Sequence, residues 1–258
     1  MDEMNWDLFY EIHSGIPRQG PGDRDSTEKA YRLMRGLPEK PAILDIGCGP
    51  GKQTIDLLRI SGGTVTAVDN HRPYLDQLTE ELQKTGLMHR SKVSEGDMAD
   101  LRFPDGAFDV IWSEGAIFII GFGQGLESWK HLLKPGGYMA VSELTRLKPD
   151  PPAEAKAFWE GAYPAMQDIE SNEKTLEKAG YETAGHFILP EESWWQDYYN
   201  PLQERVLLLR KKHKDNAEML AMLAEEDRER ASFKKYSGFY GYVFYVMQYS
   251  ALECSDGV

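Results

Sequence analysis

Short apolar runs alternate with segments of helical spacing from about residue 42 onward. Residues 73–84 show the helical spacing most clearly, because Leu75, Leu78 and Leu82 fall on one face. Strands that alternate with helices predict βαβ units and a doubly wound, mostly parallel sheet of the α/β class. The predicted strands are residues 42–46, 64–68, a short strand around Val93, 108–112 and 138–142, with helices at 55–60, 73–84 and 124–133.

The two ends of the chain follow a less regular pattern. Trp6, Phe9 and Tyr10 anchor a predicted helical extension, and a turn at residues 18–22 precedes a helix capped by Asp25 or Ser26. After residue 145 the pattern predicts a proline-rich linker, two helices, a strand at 181–189, a charged helical stretch and a last strand at 240–248. We therefore expect an extension or lid at 1–40 and one domain at 41–258, with an inserted helical cap at about 145–165 and 190–237.

Composition narrows the class of partner. The 258 residues carry 29 Lys and Arg against 42 Asp and Glu, a net charge of −13. This acidity disfavours nucleic acid and anionic membrane surfaces, which need clustered basic residues. The longest apolar stretch, at 116–122, is too short to span a bilayer, and the acidic N-terminus does not resemble a signal peptide. We expect a cytoplasmic protein, with no metal site or disulfide framework from Cys48 and Cys254.

The strongest local signal is a glycine loop between a predicted strand and a predicted helix. Gly47, Gly49 and Gly51 follow the strand at 42–46, and Asp69 ends the next strand 22 residues after Gly47. Glycines let a ligand approach the main chain, and a carboxylate at this place can accept hydrogen bonds from ribose hydroxyls. Lys52 stands where the dinucleotide fingerprint requires a third glycine, which counts against NAD.

Four stretches together resemble the class I S-adenosylmethionine-dependent methyltransferases. The similarity is greatest to the small-molecule branch that includes quinone-biosynthesis C-methyltransferases and enzymes of antibiotic methylation. The resemblance implies a seven-stranded Rossmann-like sheet and S-adenosylmethionine as the cofactor. Its motifs are residues 44–51, 67–69, 96–98 and 132–137, within roughly 42–144.

The resemblance also implies a role for each residue of the cofactor site. The loop from Asp45 to Gly51 would hold the methionine part, while Asp69 would bind both ribose hydroxyls. Pro50 departs from the family, in which threonine is common at this place, and Cys48 would pack there and not act as a nucleophile. Asn70 and Met98 would lie beside the adenine, Asp97 would contact its amino group, and Ser113 would contact the amino-acid portion. The implied cofactor-binding residues are therefore Asp45, Gly47, Cys48, Gly49, Gly51, Asp69, Asn70, Asp97, Met98 and Ser113.

The acceptor side has weaker signals. Glu114 follows the fourth predicted strand and Glu143 ends the fifth, so both are expected to face the acceptor pocket, as a base or as a holder of a cationic acceptor. The alternative is that each bonds loop backbone or a surface arginine. The predicted acceptor-binding residues are Tyr10, Arg18, Trp194 and Trp195. The alternative for Arg18 is a plain surface arginine, and the alternative for the aromatic rings is that they form the core of the cap or a dimer contact.

These observations predict methyl transfer from S-adenosylmethionine to a small molecule by in-line displacement. The alternatives are an NAD-dependent oxidoreductase, a protein methyltransferase and a non-catalytic cofactor-binding module. The sequence leaves open the acceptor, the atom that is methylated, and the choice between monomer and homodimer.

Overall fold

The fold is built on one seven-stranded sheet, in a computed structural model that describes residues 5–250. The four N-terminal residues and Cys254 lie outside the described residues. The strand order is β3-β2-β1-β4-β5-β7-β6, and only β7 runs antiparallel to its neighbours, which confirms the predicted fold class. The strands are β1 Ala42–Ile46, β2 Thr64–Asp69, β3 Ser91–Glu95, β4 Phe108–Glu114, β5 Leu133–Arg146, β6 Tyr181–Ile188 and β7 Tyr240–Tyr249.

Helices cover both faces of this sheet, so its central strands are apolar almost throughout. The predicted stripe of Leu75, Leu78 and Leu82 is buried. Within residues 5–250 each helix is too short or too polar to cross a membrane. The helices are α1 Trp6–His13, α2 Arg24–Arg32, α3 Lys52–Ser61, α4 Arg72–Lys84, α5 Phe122–Trp129, α6 Ala153–Ala162, α7 Ile169–Lys178, α8 Glu192–Trp194, α9 Asn200–Lys212 and α10 Ala217–Tyr236, with a π-helical turn at Trp195–Tyr199 between α8 and α9.

Several predicted boundaries differ from the structure, and a helix cap and a strand start are two of them. The cap of α2 is Asp23, whose side chain accepts a hydrogen bond from Ser26 N at 2.7 Å, and neither Asp25 nor Ser26 takes that place. The strand β5 begins before the Pro-Gly-Gly turn, because Leu133 already pairs with Phe108 and a bulge then absorbs the turn residues.

The N-terminal segment and the helices between β6 and β7 pack against each other. Helix α1 contacts α9 and α10, and the Arg205 guanidinium donates to Glu11 O at 2.9 Å. Further along, Gly22 N donates to Ser193 O at 3.1 Å. We call the helical segment 192–236 the cap. The division of the chain into an extension and a capped domain stays a prediction.

The glycine at the start of α3 is required for steric reasons. Gly51 has φ +84°, and a Cβ there would lie 2.1 Å from Leu78 Cδ1. We expect Gly51→Ala to lower the unfolding free energy by about 2–5 kcal/mol, the sum of left-handed backbone strain and overpacking. Urea denaturation measures this change.

Gly86→Ala is the matched control for Gly51→Ala. Gly86 has φ +70° but no atom within 4 Å of a Cβ, so only backbone strain of about 1 kcal/mol is expected. Equal losses in the two variants would show that Leu78 yields without cost and that the steric argument is wrong.

Candidate active site

The glycine loop lies where β1 ends, and main-chain bonds fasten it to β2. Gly47 N and Cys48 N both donate to Val68 O, at 2.9 and 3.0 Å. Gly47 has φ +68°, and a Cβ there would lie 2.5 Å from Ala116 Cβ. Only glycine fits this place, so the loop backbone comes within reach of the residues that follow β4.

Asp69 at the end of β2 is held by two amides. Its Oδ2 accepts from Gly49 N at 2.9 Å and its Oδ1 accepts from His71 N at 2.8 Å. Burial raises the pKa of Asp69, and the hydrogen bonds from these amides oppose that rise. The carboxylate is therefore oriented at the edge of the sheet beside the glycine loop.

Helix α1 lies over the loop that follows β2. The Tyr10 ring stacks on His71 with centroids 3.7 Å apart, and its hydroxyl donates to Asn70 Oδ1 at 3.2 Å. The predicted acceptor-binding Tyr10 thus contacts the segment predicted to bind the adenosine. Its role in acceptor binding stays a prediction.

Met98 and Asp97 take different places after β3. The Met98 methyl carbon lies 3.4 Å from the Cβ position of Gly47, so the side chain borders the glycine loop. Asp97 is exposed, and its Oδ1 accepts from Ala99 N at 2.9 Å. The geometry thus brings Met98 to the loop and leaves Asp97 at the rim.

Arg18 enters the same edge of the sheet from the N-terminal segment. Only 4% of its side chain is exposed, Nη1 donates to Glu114 Oε2 at 2.7 Å, and Nη2 lies 3.7 Å from Asp56 Oδ2. The neighbouring Gln19 accepts from the Tyr74 hydroxyl at 2.6 Å and its Cγ lies 3.3 Å from the Cβ position of Gly49. The segment therefore covers the glycine loop.

Several buried polar atoms at this edge have no hydrogen-bond partner among the described residues. Arg18 and Gln19 contribute donors, whereas Asp45 and Asp56 contribute acceptors. Burial raises the pKa of Asp45 to about 7, although a hydrogen bond that the Thr54 hydroxyl donates at 2.5 Å favours the lower pKa. The unpartnered atoms are Arg18 Nε and Nη2, Gln19 Nε2, Asp45 Oδ1, Asp56 Oδ2 and Ser113 Oγ.

This set of atoms complements an amino acid. Guanidinium and amide donors bind a carboxylate, and carboxylate oxygens accept from an ammonium. Buried polar atoms are nearly always paired in proteins, so such a cluster takes its partners from bound water or from a ligand, and these donors and acceptors suit an amino acid.

Glu114 is the last residue of β4, and both its oxygens are occupied. Besides the bond from Arg18, its Oε1 accepts from Thr27 Oγ1 at 2.7 Å and from Trp112 Nε1 at 2.9 Å. The carboxylate thus bonds an arginine, but Arg18 is buried and is not the surface arginine of the alternative. The geometry makes Glu114 an anchor for the segment that covers the loop.

Glu143 differs in place and environment. It lies within β5, three residues before the strand ends at Arg146, and it does not end the strand as expected. Its Oε1 accepts from the Tyr163 hydroxyl at 2.6 Å, while the buried Oε2 has no partner. Glu114 pairs with Ser142, so Glu114 and Glu143 project from opposite faces of the sheet. The sheet therefore does not bring the two carboxylates together.

The two tryptophans predicted to lie in the cap differ in their environments. Trp194 is 1% exposed and stacks on Phe233 with centroids 4.0 Å apart, so it belongs to the interior of the cap. Trp195 is only partly buried and lies in the π-helical turn, with its ring 5.3 Å from that of Tyr199. Acceptor binding by either ring stays a prediction.

Sequence reasoning missed Gln19, Asp56 and Tyr163 as site residues. Asp56 carried a usable signal, because it is an acid inside the apolar stripe of α3. Gln19 and Tyr163 had none, since each reaches the site from a loop whose course depends on packing.

Burial of Glu143 predicts an unusual pH dependence of stability. Because burial raises its pKa from 4.5 to about 7, the native state binds the proton more tightly than the unfolded chain does. The contribution of this group is complete below about pH 4.5 and is lost as the pH rises through 7. Between pH 5 and pH 8 the unfolding free energy of Glu143→Gln, measured by urea denaturation, is expected to rise by about 2.5 kcal/mol relative to that of wild type.

Glu80→Gln serves as the control for this comparison of variant and wild type at the two pH values. The Glu80 side chain is 71% exposed, and we expect no pH-dependent gain from its replacement. A Glu143→Gln gain no larger than that of Glu80→Gln would show that the Glu143 carboxylate is not short of a partner.

Comparison with known proteins agrees with this geometry. Residues 43–137 match the methyltransferase domain family. The sterol 24-C-methyltransferase erg6 of Aspergillus fumigatus is 27% identical over 42% of this chain and 29% of its own length. Methyltransferase GfsG of Streptomyces halstedii is 28% identical over 55% of this chain and 51% of its own length. The chain thus spans about half or less of these two curated relatives.

A solved structure extends the similarity to nearly the whole fold. The S-adenosylmethionine-dependent methyltransferase of Geobacter sulfurreducens, solved with S-adenosyl-L-homocysteine, superposes with a TM-score of 0.79 over 93% of this chain and 97% of that one, at 17% identity. This superposition shows that the two chains share the same α/β fold. Residues 43–137 thus match a methyltransferase domain, and the chain is similar to S-adenosylmethionine-dependent methyltransferases. These comparisons lend no support to an NAD-dependent oxidoreductase.

Proposed function

We propose that this protein transfers the methyl group of S-adenosylmethionine to a small-molecule acceptor. The observation that carries the proposal is the set of unpartnered donors and acceptors beside the glycine loop. The amino-acid end of the cofactor offers a carboxylate for Arg18 and Gln19 and an ammonium for Asp45 and Asp56. Asp69 lies at the neighbouring strand end, where it can accept from ribose hydroxyls.

The residues of this chain would bind and orient, while the bound cofactor supplies a methyl group activated by the sulfonium charge. Arg18, Asp45 and Asp69 would fix the two ends of the cofactor. The segment around Gln19 and the cap would exclude water, and alignment of the two reactants is a large source of rate in such a displacement.

A small acceptor is favoured by the way the edge of the sheet is covered. Helix α1 and the cap lie over it and bond to each other, as Lys212 and Glu11 do at 2.6 Å. The relatives include the sterol 24-C-methyltransferase named above and a glycine/sarcosine/dimethylglycine N-methyltransferase of Actinopolyspora halophila, so they do not select the atom that is methylated. Protein methylation and a non-catalytic cofactor module remain the alternatives to test.

The test is calorimetric titration with S-adenosylhomocysteine and, in parallel, with NAD. We expect one S-adenosylhomocysteine per chain and no heat from NAD, because the loop lacks the third glycine and the buried cluster complements an amino acid. Binding of NAD in place of S-adenosylhomocysteine would contradict the proposal. Transfer of tritium from labelled S-adenosylmethionine to small molecules, but not to proteins of an extract, then separates the enzyme from the two alternatives.

A further inference from the structure

Two buried polar atoms on the face of the sheet that α5 and α7 cover have no partner among the described residues. They are Oγ of Ser113, a fully buried residue of β4, and Oε2 of Glu143, a residue of β5 that is 2% exposed. The cofactor contacts proposed above use neither atom, because Arg18 and Asp45 lie with Glu114 on the opposite face. Buried polar atoms are normally paired, so this face of the sheet requires partners of its own.

Strand register places both side chains on that one face. Ser113 pairs with Val141 in the parallel β4–β5 ladder, and paired residues of neighbouring strands project to the same side. Glu143 lies two residues after Val141 and therefore shares its side. The Cα atoms of Ser113 and Glu143 are thus about 8 Å apart, from a strand spacing of about 4.8 Å and a rise of about 3.3 Å per residue. A gap of this size between a serine hydroxyl and a glutamate carboxyl admits one small polar group.

Tyr163 and Phe118 border this gap. The Tyr163 hydroxyl donates to Glu143 Oε1 at 2.6 Å, so it fixes one carboxylate oxygen and leaves Oε2 for another partner. The Phe118 ring lies 5.9 Å from the Tyr163 ring, edge to face, and 38% of Phe118 is exposed. Two aromatic rings at the rim suit an aromatic molecule whose polar group reaches Glu143.

Neighbouring polar groups on this face find partners. Thr145 Oγ1 donates to Glu143 O at 2.9 Å, and Asn172 Nδ2 donates to the Tyr245 hydroxyl at 3.1 Å. Tyr245 pairs with Val141 across β5 and β7, so it belongs to the same face. The orphaned atoms of Ser113 and Glu143 lie instead near the carboxyl edge of β4 and β5, where parallel sheets bind their ligands.

The glycine loop lies on the other side of β4. Strand β1 pairs with β4 up to Trp112, so Ser113 lies beside Ile46, the residue before Gly47. A Cβ at Gly47 would lie 2.5 Å from Ala116 Cβ, so the chain after β4 contacts the loop. An acceptor held between β4 and β5 would therefore lie next to a cofactor held over β1 and β4.

We propose that the methyl acceptor is a phenol, whose hydroxyl donates to Glu143 Oε2 and accepts from the Ser113 hydroxyl. This inference rests on the proposed function and adds its substrate class. A hydroxyl both donates and accepts, so it satisfies the two orphaned atoms together, whereas an ammonium only donates and would leave the Ser113 proton unpaired. The proposal gives Ser113 to the acceptor and not, as the resemblance implies, to the amino-acid portion of the cofactor.

Proton transfer selects a phenol among hydroxyl compounds. The phenol O–H bond breaks, and its proton forms an O–H bond at Glu143 Oε2. The phenolate oxygen, to which Ser113 donates, forms the O–C bond to the methyl carbon while the S–C bond breaks and its electron pair stays on sulfur. Burial raises the pKa of Glu143 to about 7, which approaches the pKa of about 10 typical of a phenol, whereas an aliphatic alcohol is far less acidic.

Three probes of equal size test the hydroxyl: 4-methylphenol, 4-fluorotoluene and benzylamine. Each is titrated calorimetrically into the protein saturated with S-adenosylhomocysteine. We expect 4-methylphenol to bind about tenfold or more tightly than either of the others, the ratio typical of a hydrogen bond to a charged group. If 4-methylphenol does not bind, or binds no better than 4-fluorotoluene, water alone occupies the gap and the proposal is overturned. Tighter binding of benzylamine overturns it as well, because the site then prefers an amine.

Variants assign the preference to the named residues. Glu143→Gln and Ser113→Ala are each expected to reduce the preference for 4-methylphenol over 4-fluorotoluene to less than about threefold and to leave S-adenosylhomocysteine affinity unchanged. Glu160→Gln, on α6 with its side chain 66% exposed, is expected to keep the preference. A preference that survives both substitutions overturns the assignment. A loss of S-adenosylhomocysteine affinity in Ser113→Ala returns Ser113 to the cofactor and overturns its place beside the acceptor.

Tyr163 acts as a positioning residue for Glu143, and its role is read from kinetics. With 4-methylphenol and tritium-labelled S-adenosylmethionine, Glu143→Gln is expected to lower kcat about 100-fold or more, and Tyr163→Phe about tenfold with KM unchanged. A Tyr163→Phe variant that changes only KM would show a packing role, and absence of transfer to bound 4-methylphenol overturns the proposed acceptor. If S-adenosylhomocysteine itself does not bind to the wild-type protein, the proposed function fails, which is a different result from either of these.

Discussion

An Arg18→Ala variant is expected to lose about 3–5 kcal/mol of unfolding free energy, the loss typical of removing one partner from a buried ion pair. Arg18 and Glu114 are each 4% exposed, and Asp56 lies 3.7 Å from the same guanidinium. Without Arg18 the Glu114 carboxylate stays buried without a cation, whereas Asp56 keeps Arg59, whose Nη1 lies 3.8 Å from its Oδ1. Urea denaturation monitored by tryptophan fluorescence measures the change.

The same variant is expected to lose its affinity for S-adenosylhomocysteine. Arg18 Nε and Nη2 are the buried donors without partners that we assign to the cofactor carboxylate. Removal of a charge-assisted, forked contact is expected to weaken binding about 100-fold or more in calorimetric titration. Arg18→Lys keeps the charge but not the fork, and it is expected to recover part of the stability and less of the affinity.

Arg32→Ala is the matched control for Arg18→Ala. Arg32 forms an ion pair with Glu28 one turn earlier on α2, but its side chain is 75% exposed. Water screens such pairs, so we expect less than about 0.5 kcal/mol and no change in affinity. If Arg18→Ala behaves as Arg32→Ala does, the Arg18 cluster neither stabilises the fold nor binds the cofactor.

An Asp69→Ala variant is expected to weaken S-adenosylhomocysteine binding by about 100-fold or more. We assign two charge-assisted hydrogen bonds to this carboxylate, one to each ribose hydroxyl, at about 1.5–3 kcal/mol each. The variant also frees Gly49 N and His71 N, which orient the glycine loop and the segment beside it. Calorimetric titration gives the affinity, and denaturation gives the separate effect on stability.

Two further variants separate charge from position in that experiment. Asp69→Asn keeps the shape but not the charge, and an intermediate affinity is expected. Asp76→Ala removes a carboxylate of α4 that is 57% exposed and paired with Arg72, and no change is expected. An Asp69→Ala affinity within threefold of wild type would remove Asp69 from the cofactor site.

The elements that carry the candidate cofactor site belong to short stretches of the chain, and the structure confirms the predicted strands and helix there. The strand that ends at Ile46, the glycines after it and Asp69 lie within 27 residues of one another from Ile43 onward. Their spacing is enough to identify a strand, a loop, a helix and a terminal acid, because each depends on local backbone geometry. The mostly parallel sheet followed from the same local periodicity.

The acceptor side was beyond that reasoning, because its contacts join distant segments. Glu114 was expected to face the acceptor, yet Arg18, 96 residues earlier, occupies one of its oxygens. Glu143 was predicted to end a strand, but β5 continues to Arg146 because it pairs with β7 from Tyr138 to Arg146.

By itself, then, the sequence determined the fold class and the similarity to methyltransferases, and it predicted the cofactor loop, since hydrophobic period and motif spacing act over a few residues. Only the tertiary structure decided which carboxylate is occupied and which is left without a partner. A shift of one residue in strand register moves a side chain to the opposite face of the sheet. Burial of Glu143 also depends on β7 and on Tyr163, which come from other segments of the chain. Desolvation and pairing of a charge are properties of the packed interior, which no local pattern contains.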